Sequence, residues 1–298
     1  MKDDNKEMKH LQTKEAQPPF KDQERQKDTP GKEDKMHPKV DHGENSYIGS
    51  GKLEGKNAII TGGDSGIGRA VAIAFAREGA NVLISYLEEH DDAKETAKWV
   101  IKAGKKAVLV PGDVSEEEHC SKIVQKAVDE FGQVDILVNN AAFQMAREKI
   151  QDIPSEEWDK TFKTNIYSMF YLVKAAEPHM KPGSTIINTT SINAYKPHPQ
   201  LLAYAATKGA IQNFTANLGQ IMAPKGIRAN CVAPGPVWTP LIPSTMPMDE
   251  VETFGKDTPL ARPGQPSEFA APFVLLASEG SSYMTGSTVQ VTGGRPTI

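Results

Sequence analysis

Cysteine is nearly absent from this chain of 298 residues, and the two present, Cys120 and Cys231, stand far apart. Two distant thiols set up no disulfide framework and suit a reducing compartment. The sequence contains no apolar run of the roughly eighteen residues that a membrane-spanning helix needs. Its first residues lack the apolar stretch of a secretory signal. Neither sign of charge is in large excess: 34 Lys and Arg against 38 Asp and Glu leave −4, which argues against nucleic acid as the main partner. His90, His119 and His179 stand at no metal-ligand spacing, so no metal is expected. These absences point to a cytoplasmic globular protein.

Aliphatic patterning is missing from the first 45 residues, which mix Lys, Asp, Glu and Gln with Pro18, Pro19, Pro30 and Pro38. Such a segment has too little apolar surface to offset its ordering entropy. Residues 1–50 are therefore expected to be a polar, mostly flexible extension, with Pro18-Pro19-Phe20 and Tyr47-Ile48 as its candidate anchors. Residues 51–298 are expected to form one domain. There, strand-like runs at 57–61, 81–86, 106–110, 134–139, 184–190, 227–232 and 287–291 alternate with helical patterns near 67–78, 90–103, 116–131, 155–180, 200–222 and 267–278. Near-continuous aliphatic strands separated by helices predict an α/β, doubly wound Rossmann-type fold: a seven-stranded parallel sheet with helices on both faces. Ligands of such sheets bind at the C-terminal ends of the strands.

Two motifs carry chemistry. The first is Thr61-Gly62-Gly63-Asp64-Ser65-Gly66-Ile67-Gly68, between the apolar run Ala58, Ile59, Ile60 and a helical pattern beginning at Ala70. A strand that turns through glycines into a helix N-terminus presents unpaired N–H groups and a positive dipole end to an anion such as a pyrophosphate. The second is Tyr204 and Lys208, four apart on one helix face, with Ser191 thirteen positions before the tyrosine. An ammonium beside a phenol favours phenolate and lowers its pKa from about 10 towards working pH. A serine hydroxyl there can hydrogen-bond a substrate oxygen as its charge changes.

Taken in order, Thr61–Gly68, Asp113-Val114, Asn139-Asn140-Ala141-Ala142, Asn165, Ser191, Tyr204, Lys208, Pro234-Gly235 and Val291-Thr292-Gly293-Gly294 make the chain resemble the short-chain dehydrogenase/reductase family over roughly residues 53–298. Within it, the resemblance is to the bacterial glucose/ribitol dehydrogenase-like and general stress oxidoreductases. It implies an oxidoreductase that moves a hydride between a nicotinamide and a secondary alcohol, a polyol or the matching carbonyl. In that role Tyr204 is the general acid/base, Lys208 binds the nicotinamide ribose, Ser191 orients the substrate oxygen and Asn165 holds a water beside the lysine. The cofactor side falls to Gly62, Asp64, Ser65, Gly66, Ile67, Gly68, Tyr86, Asp113, Val114, Asn139, Ala141, Pro234, Gly235, Val237 and Thr239, together with Tyr204 and Lys208. Where the family usually has glycine, Ala142 stands. The resemblance also implies a homotetramer and a stress role.

Cofactor choice is expected to be NAD, with NADP as the alternative. Tyr86 ends the second strand where NAD-preferring members carry an acid, yet Ser65 and Leu87 stand where NADP-preferring members offer Arg or Lys. Glu88 and Glu89 follow and would repel a 2′-phosphate. The Pro- and Met-rich stretch from Trp238 to Gln265 is expected to be the substrate lid. Gln144 and His198 are candidates for the site mouth. A second function class stays open: a nucleotide-binding sensor or scaffold with vestigial chemistry, whose tail contacts a partner.

Overall fold

A computed structural model describes residues 17–297. Its strands are β1 (Asn57–Thr61), β2 (Asn81–Tyr86), β3 (Ala107–Pro111), β4 (Ile136–Asn139), β5 (Thr185–Thr189), β6 (Arg228–Pro234) and β7 (Thr288–Val291). Between them run α1 (Gly66–Arg77), α2 (His90–Lys102), α3 (Glu117–Phe131), α4 (Ser155–Phe162), α5 (Ser168–Ala176), α6 (Leu202–Met222) and α9 (Ser267–Ala277). Two short helices, α7 (Leu241–Thr245) and α8 (Met248–Glu252), form within the stretch expected to be a lid. All strand pairs are parallel, in the order β3-β2-β1-β4-β5-β6-β7. The order reverses between β1 and β4, the switch point where an open α/β sheet forms its ligand crevice.

Side-chain alternation along β1 explains why both faces must be covered. Ala58 and Ile60 enter one layer with Val71 and Phe75 of α1 and Phe273 of α9. Ile59 enters the other, with Ile123 of α3, Leu172 of α5 and Leu218 of α6. Burying each such Ile, Leu or Phe contributes about 1.5–3 kcal/mol, and this is why the aliphatic runs settle as central strands. Gly132 closes α3 at φ +87°, a left-handed cap that other residues adopt at a cost.

The helical pattern at 155–180 is not one uniform helix. Between α4 and α5 lies a π-turn, Lys163–Tyr167, and it contains Asn165. Single π-turns inside α-helices recur at functional sites because they re-aim one side chain.

The described part of the N-terminal extension, residues 17–50, is packed and not a free tail. It builds no core of its own. Instead it lends Phe20 and Met36, both nearly fully buried, to a core of Trp238, Ile242, Met246 and Val251. Phe20 stacks on Trp238 with ring centroids 4.1 Å apart. Fixed backbone satisfies its polar groups: Phe20 N–H donates to the Glu252 carbonyl (2.9 Å), Gln26 N–H to Pro243 (3.1 Å) and the Arg25 guanidinium to Met246 (3.1 Å). Further on, the Trp238 indole N–H donates to the Pro38 carbonyl at 3.0 Å. Of the expected anchors, Phe20 and Tyr47 are both held, Tyr47 packing on the first core layer with its hydroxyl donating to Glu78 (2.6 Å), while Ile48 is exposed.

Candidate active site

One cavity of about 990 Å³ runs along the C-terminal edge of the sheet. It is floored by the glycine loop between β1 and α1. Gly62 turns the chain at φ +61°, and a Cβ on Gly68 would lie 1.8 Å from the Gly62 carbonyl oxygen, so only glycine fits. The N–H groups of Ile67 and Gly68 sit in the first turn of α1, where no intrahelical acceptor exists. The loop's residue types and its placement at a helix N-terminus fit the pyrophosphate of a dinucleotide.

Of the cofactor residues expected from sequence, Gly62, Asp64, Ser65, Gly66, Ile67, Tyr86, Asp113, Val114, Ala141, Pro234, Gly235, Val237 and Thr239 line this cavity. Thr239 lies directly over Gly66, its Cγ2 3.0 Å from where a Cβ there would be. Asp113 also caps its own turn, accepting the Ser115 N–H at 2.8 Å. Gly68, packed on the Gly62 carbonyl, does not line the cavity, and neither does Asn139. The Asn139 amide instead donates to Asn188 (2.8 Å), which donates to Thr215 of α6 (2.8 Å), bracing β4 against β5 from within. The neighbouring Asn140 takes the lining position, donating to the carbonyls of Thr61 and Gly62 (both 3.2 Å). Strand alternation makes such a one-position exchange of roles natural.

Ser191, Tyr204 and Lys208 come together at the far wall. Ser191 stands just past β5 and accepts the Asn193 N–H at 3.1 Å, a bond that fixes its hydroxyl. Tyr204 and Lys208 share a face of α6, with the ammonium nitrogen 5.1 Å from the phenol ring centroid. Lys208, 1% exposed, donates to the Thr189 carbonyl at 2.8 Å, and Thr190 Oγ1 donates to the Lys208 carbonyl at 2.7 Å. The helix is thereby tied to the end of β5.

The electrostatics differ from the sequence expectation. Burial pushes the Tyr204 phenol up to about 12, with the Ser191 hydrogen bond pulling the other way. Burial also pulls Lys208 down to about 7. Burial works against the ammonium and so weakens the field with which it could lower a neighbouring phenol. The corner thus sets a half-buried phenol, held towards its protonated form, beside a buried lysine whose charge burial disfavours.

Asn165 is fully buried in the π-turn. Its Oδ1 accepts the Phe143 N–H (2.7 Å), and its Nδ2 donates to the Phe143 carbonyl (2.9 Å) and Thr207 Oγ1 (3.0 Å). All its side-chain bonds go to protein, so it braces the loop after β4 against α6. Gln144 is buried and donates to Thr245 of α7 at 2.9 Å, joining that loop to the lid. His198 lines the cavity beside Glu250 of α8, 3.9 Å away. Sequence reasoning missed Thr29, Pro30 and Gly31, which also line the cavity. Their only local signal was a Pro-Gly pair, which marks a turn and nothing more.

Comparison with known proteins accounts for this architecture. A family model described as enoyl-(acyl carrier protein) reductase matches residues 62–295. The chain is 57% identical over 266 residues to the uncharacterized oxidoreductase YhdF of Bacillus subtilis (strain 168), covering 89% of this chain and 92% of that protein. General stress protein 39 of the same bacterium is 56% identical over 265 residues, covering 89% and 93%. The glucose and ribitol dehydrogenase of Daucus carota is 47% identical over 277 residues, covering 91% and 95%. A short chain dehydrogenase from Burkholderia cenocepacia J2315, solved in complex with NADP, superposes with a TM-score of 0.77 at 27% identity over 82% of this chain and 98% of that one. A 3-ketoacyl-(acyl-carrier-protein) reductase from Brucella melitensis, complexed with NADH, does so with a TM-score of 0.75 at 32% identity, covering 82% and 99%. The chain belongs to the short-chain dehydrogenase/reductase family of oxidoreductases.

Proposed function

We propose that the protein is a cytoplasmic NAD(P)-dependent oxidoreductase acting on a secondary alcohol, a polyol or the corresponding carbonyl. The observation that carries this reading is continuity: Ser191, Tyr204 and Lys208 open into the same cavity as the glycine loop and Asp113. Relatives named as a glucose and ribitol dehydrogenase and as a general stress protein support the substrate class and a stress role.

A bound dinucleotide supplies the hydride donor or acceptor. The chain supplies the rest. Tyr204 gives its proton to a carbonyl oxygen, or takes one from an alcohol. Ser191 Oγ orients that oxygen, and Lys208, anchored on Thr189, binds the nicotinamide ribose and restores the tyrosine's proton. Asn165 fixes Phe143 and Thr207, the walls of that corner, and holds a water beside Lys208. A homotetramer fits the partly exposed Trp158, Tyr167 and Phe170 along α4 to α5.

The test is a titration with NADH and NADPH followed by nicotinamide fluorescence, with sugars, polyols and simple carbonyls screened for turnover. Saturable binding of at least one dinucleotide, with turnover of a polyol or its carbonyl, is expected. Binding of neither contradicts the proposal.

A further inference from the structure

The N-terminal segment reaches the glycine loop as well as the lid. Thr29, Pro30 and Gly31 line the same cavity as Ser65 and Tyr86. Gly31 lies so close to α7 that a Cβ would sit 2.5 Å from the Pro240 carbonyl oxygen. Two residues later Glu33 turns its carboxylate onto the start of α1, where Oε1 accepts the Gly66 N–H at 2.6 Å. That N–H belongs to the loop assigned above to the dinucleotide, so this inference rests on that proposed function.

The carboxylate is buried, at 6% exposure, and it keeps its charge. Burial is the largest single influence and would raise its pKa, but His42, with Nε2 2.8 Å away, Arg69 and the Gly66 N–H together hold it below the ordinary carboxylate value. Glu33 itself lines the adjoining pocket, which shares Glu89 with the cavity, and it meets the cavity through the Gly66 N–H. Most nearby cations are committed; Lys32, beside Glu33, is exposed and lines the adjoining pocket. Arg69 donates to Asp92 Oδ1 (3.0 Å) and to the Asp64 carbonyl (2.8 Å). His42 lies between Glu33 and Glu44, and Lys94 points outward, 68% exposed and 3.0 Å from Asp91.

NADP differs from NAD by one phosphate on the adenosine ribose, the group that family members read at the end of β2 and in the glycine loop. Tyr86 ends β2 here and offers no charge. We propose that Glu33, delivered to Gly66 by the N-terminal segment, is the residue that selects NAD(H) over NADP(H) by opposing a 2′-phosphate. The discriminating acid is supplied by the opposite end of the chain from the lid, not by the second strand.

Glu33→Gln tests this, because an amide oxygen can still accept the Gly66 N–H while the charge is gone. Full-length wild type and variant are titrated with NADH and NADPH at one ionic strength, and the ratio of the two dissociation constants is compared. Wild type is expected to bind NADH more tightly. The variant ratio should move towards NADPH by about tenfold, the order expected for losing one charge near a phosphate, with NADH affinity little changed. Phe20→Ala, which loosens the same segment and keeps the charge, should weaken both dinucleotides alike. A wild type that prefers NADPH, or an unmoved ratio in folded Glu33→Gln, overturns the proposal. If Glu33→Gln does not fold, Glu33→Gln/His42→Gln removes both partners of the pair and is read by the same ratio. Binding of neither dinucleotide to wild type would remove the dinucleotide reading itself. Binding of both with an unmoved ratio would leave that reading standing and discard Glu33 alone.

Discussion

Two corners, one in the cavity wall and one in the pocket adjoining it, treat charge in opposite ways. At the corner proposed for proton transfer Lys208 has a carbonyl for a partner and no carboxylate, and burial drags it down to about 7 while the Tyr204 phenol rises to about 12. At the N-terminal corner Glu33, His42 and Glu44 hold one another. Burial opposes each charge, but the mutual pairing wins: both acids fall below their ordinary values, Glu44 to about 2, and His42 rises. A buried group without a counter-ion sheds its charge, whereas one with a hydrogen-bonded partner keeps it. The first arrangement suits groups that exchange protons. The second makes a fixed field.

His42→Gln breaks this comparison most severely, because it leaves Glu33 buried without its cation. A stability loss of about 3–5 kcal/mol is expected, read as a lower denaturant midpoint at unchanged m-value. A loss below about 1 kcal/mol would mean the corner is not the paired site described. Glu33→Gln should cost less, since His42 can then release its proton.

Phe20→Ala separates packing from charge. Removing a buried ring from the Trp238 stack should cost about 3 kcal/mol and loosen the lid over Tyr204, which packs against the same core. In kinetics KM for the alcohol should rise more than kcat falls. A drop in kcat alone would argue that the segment does not seat the lid.

The smallest expected effect is the pH profile of stability. Glu44, lowered from 4.5 to about 2, contributes stability that is complete above pH 4.5 and lost as pH falls towards 2. His42, raised from 6.5, contributes stability complete below pH 6.5 and lost as pH rises through its folded value. Because the other titrating groups act alike in wild type and variant, the melting-temperature gap between wild type and His42→Gln should narrow both as pH rises above 6.5 and as it falls below 4.5.

The sheet was legible because its strands are aliphatic runs whose burial on two faces leaves little choice of structure. β1 and β2 fall at 57–61 and 81–86 as expected, and the other strands shift by one or two residues at their ends. The glycine loop and the Ser191, Tyr204, Lys208 set were legible because their chemistry dictates spacing. The N-terminal segment was not, because its stabilisation is almost wholly non-local: Arg25 meets Met246 and Pro38 meets Trp238, each some two hundred residues away. Composition averaged over 45 residues hides that two apolar side chains, Phe20 and Met36, suffice when the other half of the core is already built. The sense of the Tyr204 shift was missed for a related reason. Sequence gives the lysine's spacing but not its burial, and burial decides how much charge it carries.

Tyr204→Phe tests the central claim most directly. Turnover of whichever alcohol or carbonyl the wild type accepts is measured beside the affinity of its dinucleotide. Loss of the phenolic proton should lower turnover by about 10²–10⁴-fold with dinucleotide affinity unchanged within a few-fold. Turnover near the wild-type rate would contradict the assignment of proton transfer to this corner.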